Sequence, residues 1–222
     1  MARTSTAHRP NAGTKGVPRA DREEQILLAA SEVFGTAGFA SASVAAIAAR
    51  AGISKPLIYN YFGSKEGLFT ACLHRGGEIL AGEMERIASG DAVGLERALL
   101  TLEGIFRLLE PQPWLWRLFF DPTVPRSERG IAAEMALHTD RITALADEGV
   151  AEMLRLTAGP DVDPLDASAL SAVWMSIVDA LVTWWLQHPD QSPEEMTQRC
   201  VRLFVAALSA EFPASAVAAP AD

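Results

Sequence analysis

Between Ser41 and Lys65 the chain reads SASVAAIAARAGISKPLIYNYFGSK, two short helical segments broken at a glycine. This break constrains the fold more than any other feature. Val44, Ile47 and Ala48 follow the i, i+3, i+4 spacing of a buried helix face. Gly52 then stops the segment, because glycine accepts the left-handed conformation of a tight exit. Ser54 is an N-cap candidate whose hydroxyl accepts from a free N–H, and Pro56 falls in the first turn, where a missing N–H costs little. The second segment buries Ile58 and Phe62 and leaves Lys55, Pro56, Leu57, Tyr59, Asn60 and Tyr61 around the rest of its circumference. Two such helices joined through a glycine turn form a helix-turn-helix, a shape whose second helix fits a major groove.

The charge distribution agrees. The whole chain of 222 residues carries a formal charge of −9, which taken alone argues against a polyanionic partner. Residues 1–67 nonetheless hold a net +3, with Arg3, Arg9, Lys15, Arg19, Arg22, Arg50, Lys55 and Lys65 as their cations, and the remainder holds −12. A basic end on an acidic body fits a nucleic-acid reader whose body stays off the nucleic acid; chance surface charge is the competing reading.

Residues 1–20, rich in Ala, Thr, Gly and Pro with scattered cations, are expected to form a disordered basic arm. Arg9, Lys15 and Arg19 either follow a phosphate backbone or belong to a solvated tail. Asp21 is expected to cap the first helix, with Glu24 completing a capping box, and Ile26, Leu27, Ala30, Val33 and Phe34 to line its inner face up to Gly38. Ser64 opens a further helix that runs to about Ala88, with Glu66 at its positive end.

The run AASEVFGTAGFASASVAAIAARAGISKPLIYNYFGSKEGLF resembles the DNA-binding region of the TetR (tetracycline-repressor-like) transcriptional regulators. The F-x-x-x-G-F end of the first helix, the S-V-x-x-I-A-x-x-A-G-I-S block and I-Y-x-Y-F-x-S-K-E-x-L-F occur in order over residues 26–69. The resemblance implies roles residue by residue. Ser43 matches a phosphate-contacting hydroxyl that opens helix two, Ser54 and Lys55 open the recognition helix, Tyr59 matches a phosphate clamp and Lys65 a further phosphate contact. Asn60, at a variable position, is placed to read an adenine edge. Pro56 replaces a frequent glycine, Leu57 stands where small or polar residues are usual, and Tyr61 stands where histidine is common, so Tyr61 is either a DNA contact or structural.

Beyond residue 90 the chain reads as helices only, and the fold class expected is all-α, about nine helices, with a three-helix DNA-binding domain at 21–67, a ligand-binding and dimerisation domain at 68–212 and a disordered tail at 213–222. Segments are expected at 93–110, 114–120, 127–157, 164–188 and 193–212. Phe106, Trp114, Trp116, Phe119, Phe120, Met135, Trp174, Val178 and Trp185 either line a pocket for a bulky apolar or aromatic ligand or fill a helical core; the resemblance implies an inducer between the middle helices. His138 is a candidate polar contact there, with Arg117 and Asp179 as further possibilities. In the penultimate helix Trp174, Val178, Leu181 and Trp185 form one apolar stripe and Val173, Ile177, Ala180 and Trp184 a second. Val201, Phe204, Val205 and Leu208 of the last helix are expected to cover one stripe and a second copy of the chain the other, giving a homodimer through the last two helices.

No nucleophile–base arrangement, paired acid motif, phosphate loop or cofactor signature is present, and Cys72 and Cys200 show no metal-ligand spacing, so no enzyme activity, cofactor or metal is expected. The apolar run Leu165–Leu186 is interrupted by Asp166 and Asp179, which argues against a membrane span, and no stretch reads as a signal peptide; a cytoplasmic location is expected. The function these features imply is a homodimeric, ligand-responsive regulator on a palindromic double-stranded DNA operator, preferably a repressor released by a small-molecule inducer. A constitutive DNA-binding protein without inducer and, less well supported, a helical ligand carrier or enzyme are the alternatives.

Overall fold

The computed structural model describes residues 17–208. Among them the chain forms nine helices and no strand: α1 (Arg19–Ala37), α2 (Val44–Ala51), α3 (Lys55–Phe62), α4 (Lys65–Ala88), α5 (Gly94–Leu109), α6 (Trp114–Phe120), α7 (Arg129–Ala158), α8 (Pro164–Leu186) and α9 (Pro193–Leu208). The all-α expectation holds. The basic arm up to residue 16, the extension of the last helix to 212 and the tail lie outside the described residues.

The entry to α1 differs from the sequence expectation. Its N-cap is Pro18, in an extended conformation, and Arg22 N donates to the Pro18 carbonyl. Asp21 therefore lies inside the first turn, where its charge suits the helix dipole but its side chain caps nothing. Glu24, released from a capping box, reaches α4 and takes a two-nitrogen hydrogen bond from Arg75 at 3.0 and 2.7 Å. α2 starts as its sequence dictates, with Ser43 Oγ accepting from Ala46 N at 3.1 Å, and stops at Gly52 in the left-handed conformation, φ 66°. Ser54 occupies the N-cap of α3 without a side-chain cap bond; its carbonyl accepts from Leu57 N instead, and Pro56 in the first turn sets the helical φ.

The headpiece closes around Phe34, Phe39 and Phe69. Phe34 and Phe39 stack at 5.9 Å, and Phe69 of α4 meets both edge-on at 5.0 and 5.1 Å. Each such ring contributes roughly 1.5–3 kcal/mol through burial, with about 0.5–1.5 kcal/mol more for each well-placed aromatic pair. Ile26, Ile47 and Ile58 complete this core with no exposed surface, whereas Phe62, expected beside Ile58, is only partly buried at the end of the short α3. The same apolar cluster continues without a break through Leu102, Phe106, Leu115 and Ile131 to Met196 and Cys200, so headpiece and body share one core.

α4 carries the headpiece into the body and packs most extensively on α7. Arg141 of α7 spans this seam, with Nε and Nη2 on Glu85 at 2.6 and 2.7 Å and Nη1 on Glu78 at 2.8 Å. The guanidinium hydrogen bond, aided by its charge, holds the Glu85 carboxyl below its usual range against a smaller desolvation effect.

α6 divides the aromatic run that the sequence leaves open between pocket lining and core filling. Leu115 and Leu118 are its fully buried side chains, Trp114, Trp116 and Phe119 are partly buried against the same core, Phe120 is exposed, and α6 as a whole packs on α1. Trp114 lies so close to α1 that a Cβ on Gly35 would sit 2.4 Å from the Trp114 carbonyl oxygen. The physical reason is geometric: a helix this short, bounded by Pro113 and Pro122, has one inward line of side chains, and the leucines occupy it.

α8 packs on α7 and α5 and buries Val178, Val182 and Trp185, with Trp174 and Leu181 partly covered. Its second stripe faces outward, with Val173 at 52% and Trp184 at 37% exposure. α9 does not supply the cover expected of it. It lies on α5 through Met196 and Cys200, both fully buried, while Val201 and Val205 face away at 39% and 56% exposure. Phe204 of the expected facing stripe approaches α8, with its ring 6.5 Å from that of Trp174. Pro193 and the short preceding connection turn α9 so that the Met196–Cys200 line meets α5. Among the described residues α8 is the one helix long and apolar enough to cross a membrane by length and composition, its two aspartates notwithstanding. Asp166 sits in its first turn, which leaves Asp179 as a single interruption.

Candidate nucleic-acid interface and body site

The surface helix α3 presents Lys55, Pro56, Tyr59 and Asn60 to solvent, and Leu57 is half-buried. Ile58 pins this helix to the core, which leaves the lysine, tyrosine and asparagine on one outward arc. Lys55 Nζ lies 5.7 Å from the Tyr59 ring centre, so one cation and one phenol hydroxyl are offered together. Ser43, at the start of α2, and Ser54 are exposed beside them. Two further candidates are engaged inside the protein. Lys65 Nζ sits 4.5 Å over the Phe39 ring and 3.4 Å from the Ala40 carbonyl oxygen, so this cation ties α4 to the α1–α2 turn. Tyr61 is half-buried, with the Arg19 guanidinium 4.8 Å from its ring centre and Phe62 beside it. Arg50 is paired with Glu32 across the α1–α2 seam.

The body candidates do not form one lining. Phe106 and Trp185 pack together at 5.3 Å in the core, and Trp185 Nε1 donates to the Gln191 carbonyl at 2.8 Å. Trp116 stacks on Phe120 at 4.8 Å, and Phe120 is 51% exposed. Phe119 approaches α4 at Gly76, Trp114 faces α1, Trp174 faces α9, and Val178 and Met135 join the core from α8 and α7. Trp116 Nε1 is buried without a hydrogen-bond partner. Arg117 is exposed, and Asp179 accepts a long hydrogen bond from Thr183 at 3.5 Å. A cleft of about 450 Å³ opens between α4 and α5, lined by Glu83, Arg86, Ile87, Glu103 and Arg107 among others, and a shallower one runs along α1. Of the ten candidates only Trp114 borders either cleft.

His138 is 1% exposed, and its ring is pressed against Gly77 of α4, where an added Cβ would come within 2.2 Å of it. Its Nε2 lies 2.9 Å from Glu134 Oε1, and His74 Nδ1 of α4 lies 2.8 Å from the same oxygen. Sequence reading took His138 alone and found no ligand spacing. Glu134 and His138 are one helical turn apart, a spacing visible in the sequence, but His74 joins them only through the α4–α7 packing. Also missed was Asp121. It accepts from Phe39 N, from Thr123 N at 2.8 Å and from the Thr123 hydroxyl at 2.7 Å, while that hydroxyl accepts from Ala40 N at 3.1 Å. Burial pushes the Asp121 carboxyl up, but these bonds together outweigh it and hold the carboxyl below its usual range.

An exposed helix with a cation, a phenol and an amide on one arc, seated on a helix-turn-helix, is a form shared with known proteins. The model of the N-terminal region of bacterial regulatory proteins of the tetR family matches residues 26–72. The HTH-type transcriptional activator FasR of Mycolicibacterium smegmatis is 29% identical over 172 residues, covering 78% of this chain and 75% of that protein. A TetR-like transcriptional regulator from Rhodococcus sp. RHA1 has a similar structure, with TM-score 0.65 and 25% identity over 88% of this chain and 100% of that one. The transcriptional regulator FadR of Bacillus subtilis, solved in complex with stearoyl-CoA, shares the fold at TM-score 0.68 and 20% identity, covering 85% of this chain and 99% of that one. The match over residues 26–72, a relative aligned across headpiece and body, and a common fold along nearly the full length converge: the headpiece is similar to that of bacterial regulators of the tetR family, and the chain has the fold of TetR-like transcriptional regulators.

Proposed function

We propose that this protein is a homodimeric regulator that places one α3 in each half-site of a palindromic operator and changes its DNA affinity when the body takes up a bulky apolar effector. The observation that carries this reading is the arc Lys55–Tyr59–Asn60, held outward by the buried Ile58 and joined through Gly63 and Ser64 to α4. Phosphates are gripped by Ser43, Ser54, Tyr59 and Lys65, and base edges are read by Lys55, Pro56, Leu57 and Asn60, with Tyr61 supporting α3 from behind. Lys65 acts in part by fixing the turn beneath it. We assign DNA reading to residues 21–67 and effector binding and dimerisation to the rest of the body. The second copy covers the outward α8 stripe of Val173, Ile177, Ala180 and Trp184, with Val201 and Val205 of α9 alongside.

The effector class is supported by the relatives: the B. subtilis regulator of the same fold was solved with stearoyl-CoA, and other regulators of this fold are described as acting on fatty acid degradation or metabolism. We take a long-chain acyl thioester as the first effector to test. The candidate aromatics are packed into separate neighbourhoods, so such a molecule binds only an arrangement in which the middle helices part. That difference in affinity between two arrangements is what allows it to move the headpieces. Release from DNA then gives repression lifted by effector. Activation is the second reading, favoured by one observation, the name of the relative FasR as an activator.

The experiment is binding selection on randomised double-stranded DNA with the full chain, followed by titration of the recovered site with stearoyl-CoA. Two inverted half-sites, and a shift in DNA affinity with the thioester, are expected. A recovered motif with a single half-site removes the dimeric operator, and an affinity indifferent to the thioester removes the effector class.

A further inference from the structure

We propose that His74, Glu134 and His138 form a binding site for one divalent cation of the zinc class, bridging α4 and α7. Two imidazole nitrogens from different helices converge on one carboxylate oxygen, His74 Nδ1 at 2.8 Å and His138 Nε2 at 2.9 Å from Glu134 Oε1. All three ligand atoms lie within 4.8 Å of one another. Ligands about 2.0–2.2 Å from an ion stand roughly 3–3.5 Å apart, so a small separation of the three atoms admits a cation between them.

The proton arrangement needed without an ion leaves one group unsatisfied. Both rings must present N–H to the same Glu134 oxygen. His138 Nδ1 is then a buried acceptor with no hydrogen-bond partner, in a side chain 1% exposed. With an ion on Nε2, the proton moves to Nδ1, which faces Glu78 Oε1 at 3.9 Å. Glu78 is itself held by Arg141 Nη1 at 2.8 Å. At 3.9 Å His138 Nδ1 and Glu78 do not hydrogen-bond; an approach of about 1 Å on ion binding gives the carboxylate–imidazole contact that fixes a metal-bound histidine in its ring orientation and tautomer. Gly77 supplies the groove that holds this ring, since any side chain there would overlap it. The site is built from both sides of the α4–α7 seam and is open at His74, whose side chain is 59% exposed and gives the ion a way in.

Two imidazoles and one carboxylate select zinc, cobalt or nickel over magnesium or calcium, which prefer all-oxygen surroundings. Three protein ligands leave a fourth position for water or a small donor. The nearby Cys72 does not compete. Burial pushes its thiol up to about 12, and its Sγ lies 3.9 Å from the Leu27 carbonyl oxygen on the α1 side of α4.

The test is calorimetric titration of the untagged full chain with Zn²⁺, paired with the visible spectrum of the Co²⁺ form. The expected result is one ion per chain, a Co²⁺ spectrum of low coordination number, and a raised thermal midpoint with Zn²⁺. His74→Ala and Glu134→Gln are expected to weaken Zn²⁺ binding at least tenfold and abolish the spectrum. His74 is exposed, so its replacement leaves the apo protein folded with an unchanged midpoint; His138→Gln, at a buried position, is scored only if its apo midpoint is retained. Mg²⁺ is expected to give no heat at the same concentrations. Failure of the parent chain to bind Zn²⁺ at micromolar concentration, or binding by His74→Ala as tight as the parent's, overturns the site.

Discussion

Asp121, at the end of α6, accepts a hydrogen bond from the backbone N–H of Phe39, 82 residues earlier in the turn between α1 and α2. A single buried carboxylate thereby joins the headpiece to the body independently of α4. It also takes both donors of Thr123, whose hydroxyl in turn holds Ala40 N. Replacement by alanine strands Phe39 N–H, at a cost of about 1–3 kcal/mol for an unsatisfied buried group. Asp121→Ala is therefore expected to lower the thermal midpoint. The pH dependence has a definite sign: the carboxyl is held below its usual range in the folded state, so its contribution is complete above the ordinary carboxylate range and is lost as pH falls through the depressed folded value. Chemical denaturation of the parent and Asp121→Asn should differ near neutral pH and converge as the solution is acidified into that range. A difference that grows on acidification would contradict the assignment.

Gly35 and Gly82 test packing against backbone freedom. A Cβ at Gly35 meets the Trp114 carbonyl oxygen at 2.4 Å and its Cβ at 2.7 Å, atoms that cannot swing aside. Gly35→Ala must push α1 and α6 apart, with an expected loss of about 1–3 kcal/mol, as for overpacked cores. Gly82, in the middle of α4, has nothing within 4 Å of an added Cβ. Gly82→Ala should stabilise by about 0.4–1 kcal/mol through the less flexible unfolded chain. Denaturant midpoints of the two variants are expected to move in opposite directions.

The difference between these two glycines also marks what could be read in the chain. Gly52 and Ser64 act at their own positions, so the end of α2 and the start of α4 were legible to the residue. Helix existence in the body was legible from the prolines and the apolar spacing. The direction in which α6 and α9 face was not, because Gly35 against Trp114 and Cys200 against α5 are meetings of distant segments that periodicity does not encode. The same holds for Asp121 with Phe39 and His74 with Glu134: each pair is local in space and remote in sequence. Lys65 was legible as a cation beside the helix-turn-helix, but its perch on the Phe39 ring was not.

That perch separates two lysines which otherwise look alike. Lys55 is exposed, whereas Lys65 packs on Phe39 and the Ala40 carbonyl. Loss of one phosphate contact lowers the slope of log K against log salt by about 0.9. Lys65→Ala should reduce the slope and also lower the thermal midpoint of the free protein. Lys55→Ala should leave the midpoint unchanged and alter base preference. Asn60→Ala should cost about 1–3 kcal/mol at one base pair per half-site. Fluorescence anisotropy across a salt series, with operator variants at each position, reads the three DNA effects, and thermal denaturation of the free variants reads the midpoints.

The outward stripe of α8 sets the last expectation. Val173 is 52% exposed on a helix whose opposite face already holds Val178, Val182 and Trp185 in the core. Trp184 on the same outward side is stacked on His188 at 3.7 Å and has the Arg199 guanidinium 5.2 Å from its ring, so this face is pre-shaped by its own contacts. A charge placed at Val173 does not enter the subunit core, but in a two-fold interface it meets apolar surface and its own copy, where desolvation and like-charge repulsion act together. Val173→Asp should therefore convert dimer to monomer in sedimentation equilibrium while the helical circular dichroism is retained. Its DNA affinity should fall to that of a single headpiece on one half-site. A variant that stays dimeric would place the interface on another face of the body.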